Sequence, residues 1–116
     1  MNPVTMYGIP NCDTIKKARS WLAEHDVAFA FHDYRKNGID RVLLDGLINR
    51  VGWDVLLNRA GTTFRKLSEQ ERADLERERA TALMLVQPGM IKRPVLVAGD
   101  KVTVGFKPAA YAALFG

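Results

Sequence analysis

Cysteine is nearly missing from this chain: among 116 residues only Cys12 carries a thiol. One thiol cannot close an internal disulfide, so a disulfide-stapled secreted scaffold is excluded. Histidine is almost as scarce. His25 and His32 are the only two, and with one cysteine they form no zinc-type ligand set. No apolar run approaches the ~20 residues that cross a bilayer. The opening Met1-Asn2-Pro3-Val4 lacks the charged-then-apolar order of a signal peptide. There is no G-x-G-x-x-G or phosphate-loop pattern, no repeat and no low-complexity tract. A cytoplasmic protein with no membrane segment is expected.

Concentrated charge is also lacking. The formal net charge is +4, which mildly favours anionic ligands, but no compact Lys/Arg block reads as a nucleic-acid tract. The basic residues of 65–79 are interleaved with Glu69, Glu71, Asp74, Glu76 and Glu78, the pattern of a solvated helix face. With 47% apolar residues, the chain is read as one globular α/β domain over residues 1–116.

The patterning that is present orders the elements. "VTMYG", from Val4, reads as a strand ending at Gly-Ile-Pro. Ile15, Ala18 and Leu22 fall at helical spacing over about 12–25, with Asn11 as a cap type and Asp13 in the first turn. Val27, Phe29 and Phe31 alternate with Ala28, Ala30 and His32, a second strand. Strand, helix, strand implies parallel pairing with a right-handed crossover.

A helical stretch follows. Leu43, Leu44, Leu47, Ile48 and Val51 make one stripe between a capping Asp40 and a terminating Gly52. Gly46 inside it predicts a close contact. "WDVLLNRAG" predicts a short turn closed by Gly61, and "TTFRK" an ordinary solvated loop. Ser68-x-x-Glu71 is a capping box. It opens a helix with a break, reaching about Val86 and turning Leu75, Ala82, Leu83 and Val86 to the core. "RPVLVAGDKVTVGF" is a hairpin about Gly99-Asp100, and Pro108 starts a last helix. The sum is a four-stranded mixed sheet flanked by helices, with a helical insertion over about 38–90 between a βαβ and a ββα half. That is the thioredoxin-like arrangement.

A lone cysteine is most often a small buried hydrophobe. In this arrangement, however, Cys12 lies between a strand end and a helix start, where free N–H groups and the helix dipole favour a thiolate. Lys16, one turn on, should add to that field and Asp13 oppose it. Arg93, beside Pro94, offers a permanent cation able to grip an oxyanion or carboxylate, although alone it reads equally well as a surface ion-pair partner. Trp21 and Trp53 read as packing groups.

The segments "MYGIPNCDTIKKARSWL", "FHDYRKNGID", "GWDVLLNRAGTTFRKL", "MIKRPVLV" and "VGFKP" together make the whole chain resemble the ArsC/Spx family of thioredoxin-fold proteins, and within it the single-cysteine, YffB-type branch. The resemblance implies that Cys12 is the nucleophile and that Arg93, before a cis-Pro94, binds the anionic substrate or steadies the thiolate. It implies a substrate- or glutathione-binding set of Asn11, Asp13, Lys16, Arg59, Lys92, Pro94 and Lys107. Two further arginines of the arsenate reductases fall here at Asn58, with Arg59 adjacent, and at Lys107. A lysine keeps the charge but not the bidentate fork.

The family also holds redox-sensing regulators that bind RNA polymerase and carry a Cys-x-x-Cys pair, where this chain has Ile15. A mixed disulfide on Cys12 therefore needs an external thiol for release. Two readings stand. One is a glutathione-dependent thiol-disulfide reductase or arsenate-reductase-like oxidoreductase. It would bind no resident cofactor, use glutathione as co-substrate, count glutaredoxin among its partners and act as a monomer on a small oxidised thiol or an oxyanion. The other is an Spx-like regulatory protein that binds a partner without catalysis.

Overall fold

The computed structural model describes residues 3–10 and 12–115, apart from the side chain of Arg35, and divides into two compact units. One takes the chain up to Asn37 and again from Arg93; the other is Gly38–Lys92.

In the first unit, β1 (Val4–Gly8) buries Met6 and Gly8 and leaves Thr5 and Tyr7 half-buried, the period of a strand. It pairs in parallel with β2 (Ala30–Asp33) through the crossover helix α1 (Asp13–Glu24). On its other side it pairs antiparallel with β3 (Val95–Ala98), which pairs antiparallel with β4 (Lys101–Val104). The strand order is β2-β1-β3-β4, as a thioredoxin-like mixed sheet requires. Gly99 takes φ +64° in the β3–β4 turn, a left-handed geometry that glycine adopts without a Cβ penalty. A short α2 (Tyr34–Asn37) follows β2, and α8 (Pro108–Phe115) ends the chain.

Met6 and Leu96 from the sheet meet Ile15, Ala18 and Leu22 of α1 and Tyr111 of α8 in one buried cluster. Val4, Val27, Phe29, Phe31, Phe106 and Phe115 pack around it. Each large aliphatic buried there contributes about 1.5–3 kcal/mol. The helix spacing of Ile15, Ala18 and Leu22 meets the strand spacing of Val4 and Met6 in this core. Trp21 joins edge-on to Tyr111, with ring centroids 5.5 Å apart.

The second unit is helical. The Asp40 carboxylate accepts the Leu43 N–H at 2.7 Å and caps α3 (Arg41–Val51). Gly52, at φ +94°, stops it. Then come α4 (Trp53–Leu56), α5 (Thr62–Arg65), α6 (Glu69–Arg72), α7 (Arg77–Val86) and a 3-10 turn at Pro88–Met90. The reciprocal Ser68–Glu71 capping box forms as expected. The Arg41 guanidinium reaches both carboxylate oxygens of Glu78 at 2.8 Å, tying α3 to α7.

Three expectations fail in this unit. Gly46 makes no close contact: it is exposed, and a Cβ there would meet nothing within 4 Å. "TTFRK" is not a loop but α5, whose Phe64 is buried. The inward face of α7 is Ala80, Thr81 and Met84, whereas Ala82 is exposed, Leu75 and Leu83 are half-buried and Val86 is 80% exposed. The reason is a phase reset. Ala73 is extended and Asp74 takes φ +52°, so the helix restarts at Arg77 with a new rotation. Thr81 is tolerated inside because its hydroxyl donates to the Arg77 carbonyl at 2.6 Å. The displaced apolar residues Leu83 and Val86 line an open groove with Leu67 and Met90.

Candidate functional site

Cys12 is itself the N-cap of α1, with φ −127° and ψ 128°. The cap expected at Asn11 falls outside the described residues, and Cys12 fills the role. An N-cap side chain faces the second and third helical N–H groups, which here belong to Thr14 and Ile15. The Cys12 carbonyl accepts the Lys16 N–H at 3.0 Å.

Partial burial pushes the Cys12 thiol up. The Ile15 and Thr14 N–H groups, and then Arg93 through both a hydrogen bond and its charge, outweigh that, and the thiol pKa lies below its ordinary value. The sulfur falls short of the strict geometry of a cap hydrogen bond. Charge–dipole attraction weakens only gradually with angle, so the thiolate is favoured all the same.

Close packing makes this possible. A Cβ on Gly8 would lie 2.5 Å from Ile15 Cδ1 and 4.0 Å from Arg93 Cβ. Only a glycine lets the end of β1 come this near to both the helix start and the arginine. The Arg93–Pro94 peptide is cis, Pro94 is buried, and the Pro94 carbonyl accepts the Gly105 N–H at 2.8 Å.

The structure therefore brings Cys12, Arg93 and Pro94 into one place. It does not bring every expected charge to the sulfur. Asp13, Lys16 and Lys107 are exposed, and none of them is among the groups that move the thiol; solvent screens them. The expected push from Lys16 and opposition from Asp13 are corrected accordingly. The Lys107 carbonyl accepts from the Ala110 and Tyr111 N–H groups at the start of α8.

Arg59 and Lys92 belong to the second unit. There the Arg59 guanidinium lies 5.6 Å from the Trp53 ring centroid, and the Lys92 N–H donates to the Leu56 carbonyl at 2.8 Å. Asn58 closes a local turn by accepting the Ala60 N–H at 3.2 Å.

Sequence reasoning missed two contributors. The amides facing the sulfur are those of Thr14 and Ile15, not the Cys12 and Asp13 amides that were expected to bind the charge. Counting the helix from Cys12 as cap would have found them. The second is Tyr34, a buried tyrosine. Its hydroxyl is pushed well up by burial and by Tyr7, and pulled back by the charge of Arg93.

With this geometry in view, the relatives are informative. The ArsC family model matches residues 7–114, and the chain belongs to the ArsC family. The solved structure of the YffB (PA3664) protein is 57% identical with a TM-score of 0.94, covering 97% of this chain and 99% of its own. An arsenate reductase (ArsC) related protein from Brucella melitensis is 56% identical with a TM-score of 0.80, covering 97% and 94%. An uncharacterized protein of Haemophilus influenzae is 42% identical over 112 residues, 97% of this chain and 98% of its own. The global transcriptional regulator Spx of Listeria innocua is 27% identical over 105 residues, 89% of this chain and 79% of its own. Among the described residues, no helix is long and apolar enough to cross a membrane.

Proposed function

We propose that this chain is a single-cysteine thiol oxidoreductase of arsenate-reductase-like type that uses glutathione as its external thiol. The observation that carries the reading is the lowered thiol pKa of Cys12, set by the Ile15 and Thr14 amides and Arg93. For a disulfide substrate the Cys12 thiolate attacks one sulfur, forms a mixed disulfide and expels the other as a thiolate. A glutathione thiolate then attacks the mixed disulfide and frees Cys12. A second glutathione completes the two-electron balance, RSSR + 2 GSH giving 2 RSH + GSSG. For an oxyanion, Arg93 holds the charge while Cys12 attacks the central atom. Asn11, Asp13, Lys16, Arg59, Lys92, Pro94 and Lys107 complete the proposed binding set, with glutaredoxin as a further partner and the cytoplasm as the setting. Replacement of the two family arginines by Asn58 and Lys107 favours disulfides over arsenate, because neither residue grips an oxyanion in two places.

The test is the pH dependence of Cys12 alkylation together with mass spectrometry after exposure to oxidised glutathione. The expected result is a profile shifted below that of a free thiol, a glutathione adduct on Cys12, and a shift back toward higher pH in Arg93→Ala. An ordinary thiol profile with no adduct would sink the proposal.

The similarity to Spx supports a second reading, a regulator that binds a protein partner. Ile15 stands where the regulators' second cysteine would be, which counts against a built-in redox switch. A specific partner retained by Cys12→Ser, with no turnover by the wild type, would favour this reading.

A further inference from the structure

The Cys12–Arg93 site has a buried polar neighbour that the chemistry above does not use. Tyr34 is 2% exposed, and its hydroxyl is buried with no hydrogen-bond partner. Such a group costs about 1–3 kcal/mol, and native structures keep few of them.

Its position is set by the sheet. Tyr7 and His32 are partners in the β1–β2 ladder, and Tyr34 follows two residues after His32. The three rings cluster, with centroids 5.0 Å apart for Tyr7–His32, 6.1 Å for His32–Tyr34 and 6.3 Å for Tyr7–Tyr34. The last pair is stacked at 18°. Tyr7 immediately precedes Gly8, the residue against which Arg93 packs. The charge of Arg93 acts on the Tyr34 hydroxyl and on the Cys12 thiol alike.

We propose that Tyr34 determines specificity, its hydroxyl donating a hydrogen bond to the anionic group that Arg93 holds while Cys12 reacts. This rests on the reading of Cys12 as a nucleophile. Arg93 supplies attraction to any anion. A donor closed to water favours only an anion seated against the arginine, because such an anion restores the partner the hydroxyl lacks. The ligand chemistry is an oxyanion or carboxylate, drawn either from an inorganic substrate or from the peptide thiol that resolves Cys12.

The test is Tyr34→Phe, which keeps the ring and its stacking and removes only the hydroxyl. The readout is protection of Cys12 from iodoacetamide by sulfate and, separately, by S-methylglutathione. In the wild type at least one should protect; sulfate identifies an oxyanion seat and S-methylglutathione a carboxylate seat. Tyr34→Phe should need roughly tenfold more of that ligand for half-protection, the loss of one hydrogen bond to a charged group. Its denaturation midpoint should equal or exceed that of the wild type.

Equal protection of both proteins overturns the inference and leaves the Cys12 reading intact. Absence of protection by either probe also overturns it. A Tyr34→Phe protein that loses stability or fails to fold shows the hydroxyl to be structural and overturns it too. Wild-type alkylation no faster than that of a free thiol at neutral pH removes the parent reading, and this inference with it.

Discussion

Adding one methyl group at Gly8 should disturb the core and the thiol together. An alanine Cβ there would lie 2.5 Å from Ile15 Cδ1 and 3.3 Å from Ile15 Cγ1. Carbon atoms rest ~3.5–4.0 Å apart, so the overlap with the δ-methyl is roughly 1 Å. Gly8 does not have positive φ, so alanine meets no backbone penalty and gains a little from the unfolded chain. Ile15 is fully buried and gives way only by twisting off its rotamer, at about 0.5–1.5 kcal/mol, with repacking bringing the cost to about 1–3 kcal/mol. The net loss for Gly8→Ala should be about 1–2 kcal/mol, read as a fall in the urea midpoint. Ile15→Val removes the δ-methyl and alone costs about 0.5–1.5 kcal/mol. The double variant should cost less than the two single costs added, because the atom that clashes is gone. Since the Ile15 N–H faces the sulfur, Gly8→Ala should also move the Cys12 alkylation profile toward higher pH, and Ile15→Val should restore it. Strictly additive stabilities in this cycle would refute the contact as the reason for glycine at position 8.

Tyr111 is buried with an unpartnered hydroxyl, and burial pushes its pKa up to about 12. Tyr111→Phe should therefore match or exceed the wild type in denaturant at neutral pH; a clear loss would reveal a hydroxyl partner. A folded pKa raised above the unfolded ~10 gives stability that is present below pH 10 and lost as pH rises toward 12, so Tyr111→Phe should lessen this part of the alkaline loss. Asp40→Ala removes the carboxylate that accepts the Leu43 N–H and should cost about 1 kcal/mol in thermal or urea unfolding; Asp40→Ser should recover most of it.

Much of the fold was legible because local signals agreed. Apolar alternation marked β1 and β2, helical spacing marked α1 and α3, and the Ser68–Glu71 box and Gly99-Asp100 turn marked boundaries. The parallel crossover followed from a strand–helix–strand order, and family membership from motifs spread along the chain. Errors gathered where a local signal was weak. The four-residue α5 left no periodicity to read. The kink at Asp74 rotated α7 by an amount its sequence does not state, so Thr81 and Met84 turned inward in place of Leu83 and Val86. Taking Asn11 as the cap put the wrong amides against the sulfur by one register step.

The sequence by itself determined that one cysteine stands between a strand and a helix with no partner thiol to resolve it. Composition and order suffice for that. What surrounds the sulfur was decided by the tertiary structure alone. Arg93 reaches Cys12 because β3 pairs with β1, and Ile15 reaches it because Gly8 has no side chain. Lys16, nearer in sequence, has no such effect because it stays in water. A thiol pKa sums charges and dipoles over distance in space, and only the folded chain sets those distances.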